Sequence, residues 1–178
     1  PRGGVAHWFG LLADGFARTP NSNPKIPLLF ARVAYWLEGS DWQARAALVE
    51  ALDRNERQDD ALGVLQDGRV PLPAVLVMRQ AELLADDGKT AEAVALAERA
   101  VATDTPARTL LVRYADVARR SNDPRAAERA YARLEADLGN DDFDKALHGS
   151  ILSARAELLL QANDWEAAEP LLDKAIAL

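Results

Sequence analysis

The sequence predicts an all-α protein, because helix-forming residues dominate it, strand signals are missing and its apolar segments are short and amphipathic. Apolar residues make up 49% of the 178 residues, but aromatic residues only 6%. Alanine, leucine, glutamate and arginine are abundant, and they lose little rotamer freedom in a helix. Long runs of β-branched and aromatic residues, which would indicate strands, do not occur in the sequence.

Charge and composition exclude several classes of function. A chain of net charge −7 does not neutralise phosphates, so we expect no nucleic-acid partner. Because the sequence contains no cysteine, disulfides, thiol catalysis and cysteine-ligated zinc are excluded. The most apolar N-terminal stretch, residues 5–17, is interrupted by His7 and Asp14 and is too short to span a bilayer, so we expect no membrane insertion by this segment. Since the chain begins Pro-Arg-Gly-Gly without Met, we expect it to be a fragment of a longer protein.

Glycine, proline and polar clusters divide the chain into ten amphipathic segments. The links between them are mostly two or three residues long, which predicts five pairs of antiparallel helices. The predicted helices span residues 4–17, 27–38, 41–54, 58–67, 73–86, 89–103, 107–120, 123–137, 145–162 and 164–177.

Residues at the segment ends predict where helices begin and end. Ser40 and Gln43 form a capping-box pattern ahead of one helix. Gly88 suits the left-handed conformation that closes a helix. Asp123 followed by Pro124 combines an N-cap with a proline at a position where no backbone donor is needed.

Small and apolar residues recur at fixed offsets of 0, +3, +7, +12, +16 and +19. Two copies are separated by 34 residues: Ala81, Leu84, Gly88, Ala93, Ala97 and Ala100, then Ala115, Ala118, Asn122, Ala127, Tyr131 and Leu134. A third copy begins at Ala156, and a weaker one begins at Val49. Small residues at these offsets would let two helices approach closely, and glycine or asparagine would close the turn between them.

This pattern resembles the tetratricopeptide repeat family. The resemblance implies a right-handed α–α superhelix, a TPR-like solenoid of about five antiparallel helix pairs. It divides the chain into a degenerate N-terminal pair over 1–41 and repeats over 42–73, 74–107, 108–148 and 149–178. Extra residues around 138–147 indicate a loop or a helix extension. Related Sel1-like or HEAT-like repeats are the alternatives that the degenerate positions leave open.

The resemblance also implies a binding surface, because the first helix of each pair lines the concave groove in this family. The residue after each small landmark is acidic in all four units, and with its neighbours it gives the predicted partner-binding set: Glu50, Met78, Arg79, Glu82, Arg113, Asp116, Ser153 and Glu157. An electronegative groove with an apolar floor favours a basic peptide or a cationic polysaccharide. The alternative interpretation is that these acids only pair along their own helices, which contributes about 0.2–0.5 kcal/mol each.

Three functions are compatible with these patterns. The first is a non-catalytic protein–protein interaction scaffold that binds a partner in its concave groove, with no cofactor or metal. The second is a periplasmic repeat segment of a bacterial exopolysaccharide synthesis or export complex, which favours the periplasm over the cytoplasm. The third is a helical scaffold domain of a larger enzyme.

Signals for catalysis or metal binding are weak. His148 lies two residues from Ser150, but neither an orienting group nor an oxyanion hole is visible in the sequence. Residues 140–144 resemble the start of a calcium loop, yet Lys145 replaces the required glycine and Ile151 the required glutamate. We expect instead a solvated acidic loop that caps the next helix through Asp142 or Asp144.

The four tryptophans lie at helical spacing within apolar faces: Trp8, Trp36, Trp42 and Trp165. They could stack on a sugar or a peptide, but we expect them to pack in the core. The apolar residues Leu171, Leu172, Ile176 and Leu178 are unlike a polar capping helix, so we expect further chain beyond this end.

Overall fold

The computed structural model describes residues 2–20, 23–68, 70–139 and 141–178, and these form ten α-helices. Each helix end lies within three residues of its predicted position. The helices are α1 (Arg2–Arg18), α2 (Lys25–Leu37), α3 (Trp42–Asp53), α4 (Gln58–Gln66), α5 (Ala74–Asp86), α6 (Thr90–Ala100), α7 (Arg108–Arg120), α8 (Pro124–Ala136), α9 (Asp142–Gln161) and α10 (Trp165–Ala177).

The predicted cap of α3 is corrected by one residue. Asp41 takes the N-cap position with an extended backbone, and its carboxylate accepts a hydrogen bond of 3.0 Å from the amide of Gln43. Ser40 lies one residue too early to reach that amide, and its hydroxyl donates to Glu38 instead. An aspartate at the N-cap also places a negative charge at the positive end of the helix dipole.

Aspartates cap the later helices in the same way. Asp123 accepts from the amide of Ala126 at 2.9 Å, which confirms the predicted cap of α8. The cap of α9 is Asp141, whose carboxylate accepts from the Asp144 amide at 2.8 Å. That position was predicted for Asp142 or Asp144, which instead lie inside the first turn of α9.

The +7 position of the repeat has a left-handed backbone in all four copies. Gly88 has φ 76°, Asn122 has φ 51° and Asn163 has φ 59°. In the weak copy the same position is Glu56, with φ 57°. The predicted turn chemistry is therefore confirmed at Gly88, and it extends to a residue type that rarely adopts this conformation.

The first compact unit covers Pro1–Asp86. Within it α1 packs on α2, both pack on α3, and α4 packs between α3 and α5. Small residues occupy the seams, as the repeat predicts: Ala6, Ala31, Ala34 and Ala61 have no exposed surface. An aromatic stack of Phe9, Phe16 and Phe30 joins α1 to α2.

The second compact unit covers Asp87–Leu178. Within it α7 packs on α6 and α8, and α9 packs on α8 and α10. The alanines at the +12 landmark, Ala93, Ala127 and Ala168, are fully buried. The larger residues Tyr114, Val117 and Leu134 fill the remaining space between helices.

The predicted acidic loop ahead of α9 is not fully solvated. Asn140 lies outside the described residues, but Asp144 is 4% exposed and binds the guanidinium of Arg108 at 2.5 Å. The Asp144 carboxylate also accepts from the amide of Gly139. The extra residues of this repeat lengthen α9 at its start, so that the helix runs for 20 residues.

The prediction that the tryptophans pack in the core is wrong. Trp8 is 56% exposed, Trp36 77%, Trp42 47% and Trp165 69%. Trp42 and Trp165 are the first residues of α3 and α10, directly after the capping aspartate. A side chain at that position lies at the end of the helix, where the neighbouring helix no longer covers it.

Among the described residues, none of the helices combines the length and the hydropathy that a bilayer-spanning segment needs.

Candidate binding grooves

Groove A lies in the first unit between α1 and α3 and has a volume of about 450 Å³. Its floor consists of small residues from both helices, namely Ala6, Gly10, Ala13, Ala17, Ala44, Ala47 and Ala51. Leu11 and Trp42 also line the groove and are 58% and 47% exposed. Short floor side chains leave room for the side chains of another molecule, and the exposed Leu11 and Trp42 offer apolar contact to it.

Groove A carries more acidic than basic residues. Asp14, Asp41 and Glu50 line it, with Arg18 as the basic residue of the same lining. Arg18 pairs with Asp14 at 2.9 Å, and Glu50 accepts from Arg54 at 3.0 Å. These pairs are exposed and are screened by solvent, so they hold the acids only weakly.

Arg79 is bound to its own chain rather than free for a partner. Its guanidinium lies 2.5 Å from Asp53, 3.3 Å from Glu82 and 3.5 Å from Glu50. Burial lowers the pKa of Arg79, but the charge and hydrogen bond of Asp53, with the charges of Glu50 and Glu82, raise the pKa above its ordinary value. Arg79 therefore joins α5 to α3 as a permanent cation.

Met78 does not line a groove in this structure. It is fully buried, although its repeat position predicts a groove residue. The helix α5 turns a broad apolar face inward, which includes Leu76, Val77, Met78 and Ala81. Met78 lies three residues before Ala81, so both belong to one packed face.

On α7 the predicted acid Asp116 is paired along its own helix. Its two carboxylate oxygens lie 3.1 Å from Arg119 and 2.9 Å from Arg120. The side chain of Asp116 keeps 47% exposure. Arg113, one turn earlier, is half-buried. At Glu50, Glu82 and Asp116 the structure therefore shows the same-helix pairing that the alternative interpretation predicts.

Groove B lies along α9 in the second unit and has a volume of about 830 Å³. Ser150, Ser153 and Glu157 line it, and they share one face of the helix because they are three and four residues apart. The hydroxyl of Ser150 donates to the Ala146 carbonyl at 3.0 Å, and that of Ser153 donates to its own helix in the same way. The serine oxygens thus serve a ligand as acceptors, beside the Glu157 carboxylate.

The residues of the candidate Ser–His pair are engaged elsewhere. The Nε2 atom of His148 lies 3.0 Å from the Glu135 carboxylate, while the Ser150 hydroxyl is bonded within α9. Over the described ranges, no group of three or more His, Asp or Glu side chains is arranged to hold a metal ion.

Sequence reasoning missed the contribution of α1 to groove A. The repeat is degenerate over residues 1–41, so its offsets could not assign inward positions there. A usable signal was present nonetheless: Ala6, Gly10, Ala13 and Ala17 recur every three or four residues along one face of α1. It missed the buried pair Arg108–Asp144 too, because these residues lie 36 positions apart.

Known structures resemble the chain over nearly its whole length. MamA residues 41 to the end from Desulfovibrio magneticus RS-1 superposes with a TM-score of 0.71 at 13% identity, covering 98% of this chain and 94% of that one. YrrB, described as a TPR protein with an unusual peptide-binding site, gives 0.72 at 16% identity over 97% and 84%. PilF of Pseudomonas aeruginosa gives 0.71 at 17% identity over 99% and 77%.

The chain has a tetratricopeptide-repeat fold. The predicted all-α, TPR-like solenoid class is thereby confirmed. No protein family description matches the sequence, and no curated protein does. Identities of 13–17% carry the fold alone, so the partner has to be inferred from the grooves of this chain.

Proposed function

We propose that this chain is a non-catalytic interaction scaffold that binds a basic, partly apolar segment of a partner protein in groove A. The observation that carries the proposal is the composition of groove A. A continuous alanine and glycine floor is bordered by exposed Leu11 and Trp42 and by the carboxylates of Asp14 and Glu50. Apolar side chains of the partner would lie on the floor, and its lysine or arginine side chains would reach the acids.

The fold supports this proposal. YrrB, which has the same fold, is described as having a peptide-binding site. Stacked helices form preformed surfaces, so a peptide can bind with little rearrangement of the backbone. The pairs Asp14–Arg18 and Glu50–Arg54 are exposed, and a basic peptide can therefore compete with the intramolecular arginines at small cost.

Two predicted site residues are poor choices for testing this function. Glu82 is 14% exposed and, like Glu50 and Asp53, binds Arg79, so reversing its charge would leave an unpaired cation in a half-buried position. Met78 is buried, and its substitution would test packing. Glu50 and Ala47 are better choices, because both line groove A and neither is buried.

The direct test is calorimetric titration with a synthetic peptide that alternates lysine and leucine. We expect Ala47→Arg, which adds bulk and positive charge to the floor, to weaken binding by at least about tenfold, a loss of roughly 1.4 kcal/mol. Glu50→Gln should weaken binding less and should reduce its salt dependence. Circular dichroism would verify that both variants stay folded.

Matched controls make the test specific. Glu92→Gln removes an exposed acid on α6, outside both grooves, and should leave the affinity unchanged. A peptide with glutamate in place of lysine should not bind. The proposal is wrong if Ala47→Arg binds the basic peptide as tightly as the parent chain does.

A cationic polysaccharide is the second candidate ligand, and groove B favours it. The aligned acceptors of Ser150, Ser153 and Glu157 suit a polymer that presents ammonium and hydroxyl donors. Glucosamine oligomers should then bind the parent chain and lose affinity in a Glu157→Gln variant, while Ala47→Arg should not affect them. If glucosamine oligomers do not bind, or if Glu157→Gln binds them as tightly as the parent chain, this candidate is wrong.

A further inference from the structure

An apolar stripe on α10 is exposed. Trp165, Leu172 and Ile176 are 69%, 36% and 84% exposed. Spacings of seven and four residues place all three on one face of the helix. The exposed acids Glu166, Glu169 and Asp173 flank this stripe. We call Trp165, Leu172 and Ile176 the α10 stripe.

The corresponding positions in earlier repeats are covered. Leu172 occupies the +16 landmark, where Leu65, Ala97 and Tyr131 are at most 7% exposed. In α8 the residue four positions further on, Glu135, binds His148 and Arg155 of α9. This part of a second helix is therefore where the first helix of a following pair packs. The α10 stripe has the chemistry of such a contact.

A first helix with an uncovered apolar side is present at the other end of the sequence. On α1, Val5 is 47%, Trp8 56% and Phe16 38% exposed, and on α2 Leu29 is 61% exposed. A Cβ atom added at Gly15 of α1 would meet nothing within 4 Å, so a large side chain can approach the backbone there. We call Val5, Trp8, Phe16 and Leu29 the α1–α2 face.

The two surfaces have opposite charge. Residues 1–40 contain four basic and two acidic side chains, a formal charge of +2, whereas residues 164–178 contain one basic and four acidic side chains, a formal charge of −3. The N-terminal pair is thus basic in a chain whose net charge is −7. Opposite charge around two apolar surfaces favours their association and disfavours pairing of either surface with itself.

We propose that the α10 stripe of one copy packs against the α1–α2 face of a second copy, head to tail. The contact repeats the packing of a first helix on the preceding pair, now between two molecules. Because its two sides differ, each copy keeps one free surface of each kind, and further copies add in the same way. The average length of the assembly then rises with protein concentration and falls with salt.

The test is sedimentation velocity of the 178-residue chain at concentrations up to about 1 mM, the range of weak association. We expect the parent chain to sediment as a monomer of 19.4 kDa when dilute and as larger species when concentrated. Ile176→Asp and Leu29→Asp should each remain monomeric throughout. Both residues are more than half exposed, so folding should be retained, which circular dichroism would verify.

Mixing the two variants gives the decisive result. Each keeps one intact surface, so together they should form a one-to-one dimer and nothing larger. Val112→Asp, at a 43% exposed position of α7, is the matched control and should associate as the parent chain does. Ala47→Arg should also associate normally, which separates this contact from peptide binding in groove A.

Three outcomes would overturn the proposal. The first is a parent chain that stays monomeric at every concentration, which would leave the α10 stripe to a further repeat or to another protein. The second is loss of association in Ile176→Asp together with normal association in Leu29→Asp, which would indicate that α10 pairs with itself. The third is a mixture of the two variants that remains monomeric.

Discussion

Single residues in left-handed conformations close the turns between helices. Gly88 and Asn122 suit that conformation, but Glu56 holds it at φ 57°. A left-handed backbone costs a residue with a side chain roughly 1–2 kcal/mol. We predict that Glu56→Gly raises the free energy of unfolding by about 0.5–1 kcal/mol, because relief of this strain exceeds the entropy that glycine adds to the unfolded chain. Urea denaturation followed by circular dichroism measures the change.

The opposite substitution is the control. Gly88→Ala at φ 76° should lower the free energy of unfolding by about 1 kcal/mol. A Cβ at Gly88 would meet no neighbour within 4 Å, so any loss there reports backbone strain and not a clash. A destabilised Glu56→Gly would show that the Glu56 side chain contributes more than its strain costs.

Tyr114 should make stability depend on alkaline pH. Burial first, and then the hydrogen bond to and the charge of Glu98 against the opposing charge of Arg129, raise the pKa of Tyr114 to about 12. The unfolded tyrosine titrates near 10, so between these values the unfolded state loses its proton first. Stability therefore falls as pH rises through this window, by about 2 kcal/mol in total.

A Tyr114→Phe variant isolates this effect. It should lower stability at neutral pH by about 1 kcal/mol, through loss of the hydrogen bond to Glu98. Above pH 10 its stability should decline less steeply than that of the parent chain. The difference between the two unfolding curves, measured from pH 9 to 12, cancels the other titrating groups. Parallel curves would contradict the prediction.

At the scale of elements, one ion pair ties the start of α9 to α7 and to the preceding loop. Asp144 binds Arg108 at 2.5 Å, and Arg108 also binds the Asp137 carboxylate at 2.8 Å. A side chain at Gly139 would bring its Cβ to 2.9 Å from Asp144, so this close approach requires glycine. Hydrogen bonds to Asp137 and Asp144 raise the pKa of Arg108, which stays charged.

We predict that Asp144→Ala lowers the free energy of unfolding by about 2–3 kcal/mol, since it leaves Arg108 and the Gly139 amide without their buried acceptor. The matched control is Asp142→Ala, two residues earlier on α9. The side chain of Asp142 is fully exposed, so its removal should change stability by about 0.5 kcal/mol or less. Equal losses in both variants would show that charge at the helix start, and not the buried pair, is responsible.

At the scale of the whole molecule, the four tryptophans lie outside the core, with 47–77% exposure. We predict that the fluorescence emission of the folded chain is already red-shifted and moves little on unfolding in urea. Circular dichroism of the same samples should show a full transition. A large red shift on unfolding would mean that some tryptophans are covered in solution. Concentration-dependent covering of Trp8 and Trp165 is the pattern expected of head-to-tail association.

The sequence by itself determined the local structure of this protein. Helix boundaries, the N-caps at Asp123 and Asp164, and the left-handed turns at Gly88 and Asn122 all depend on interactions within a few residues of the chain. The 34-residue recurrence added the class of fold, because identical spacing of small residues makes successive helix pairs pack alike.

Tertiary structure alone decided which side chains meet and which stay exposed. Met78 is buried although its repeat position predicts a groove, and Trp36 is exposed although its apolar neighbours predict a core. The pair of Arg108 with Asp144 spans 36 positions, and groove A depends on the spacing between α1 and α3. Such features follow from how whole helices lie against one another. Helical periodicity identifies the apolar face of a helix, but only its packed neighbours determine how much of that face is covered.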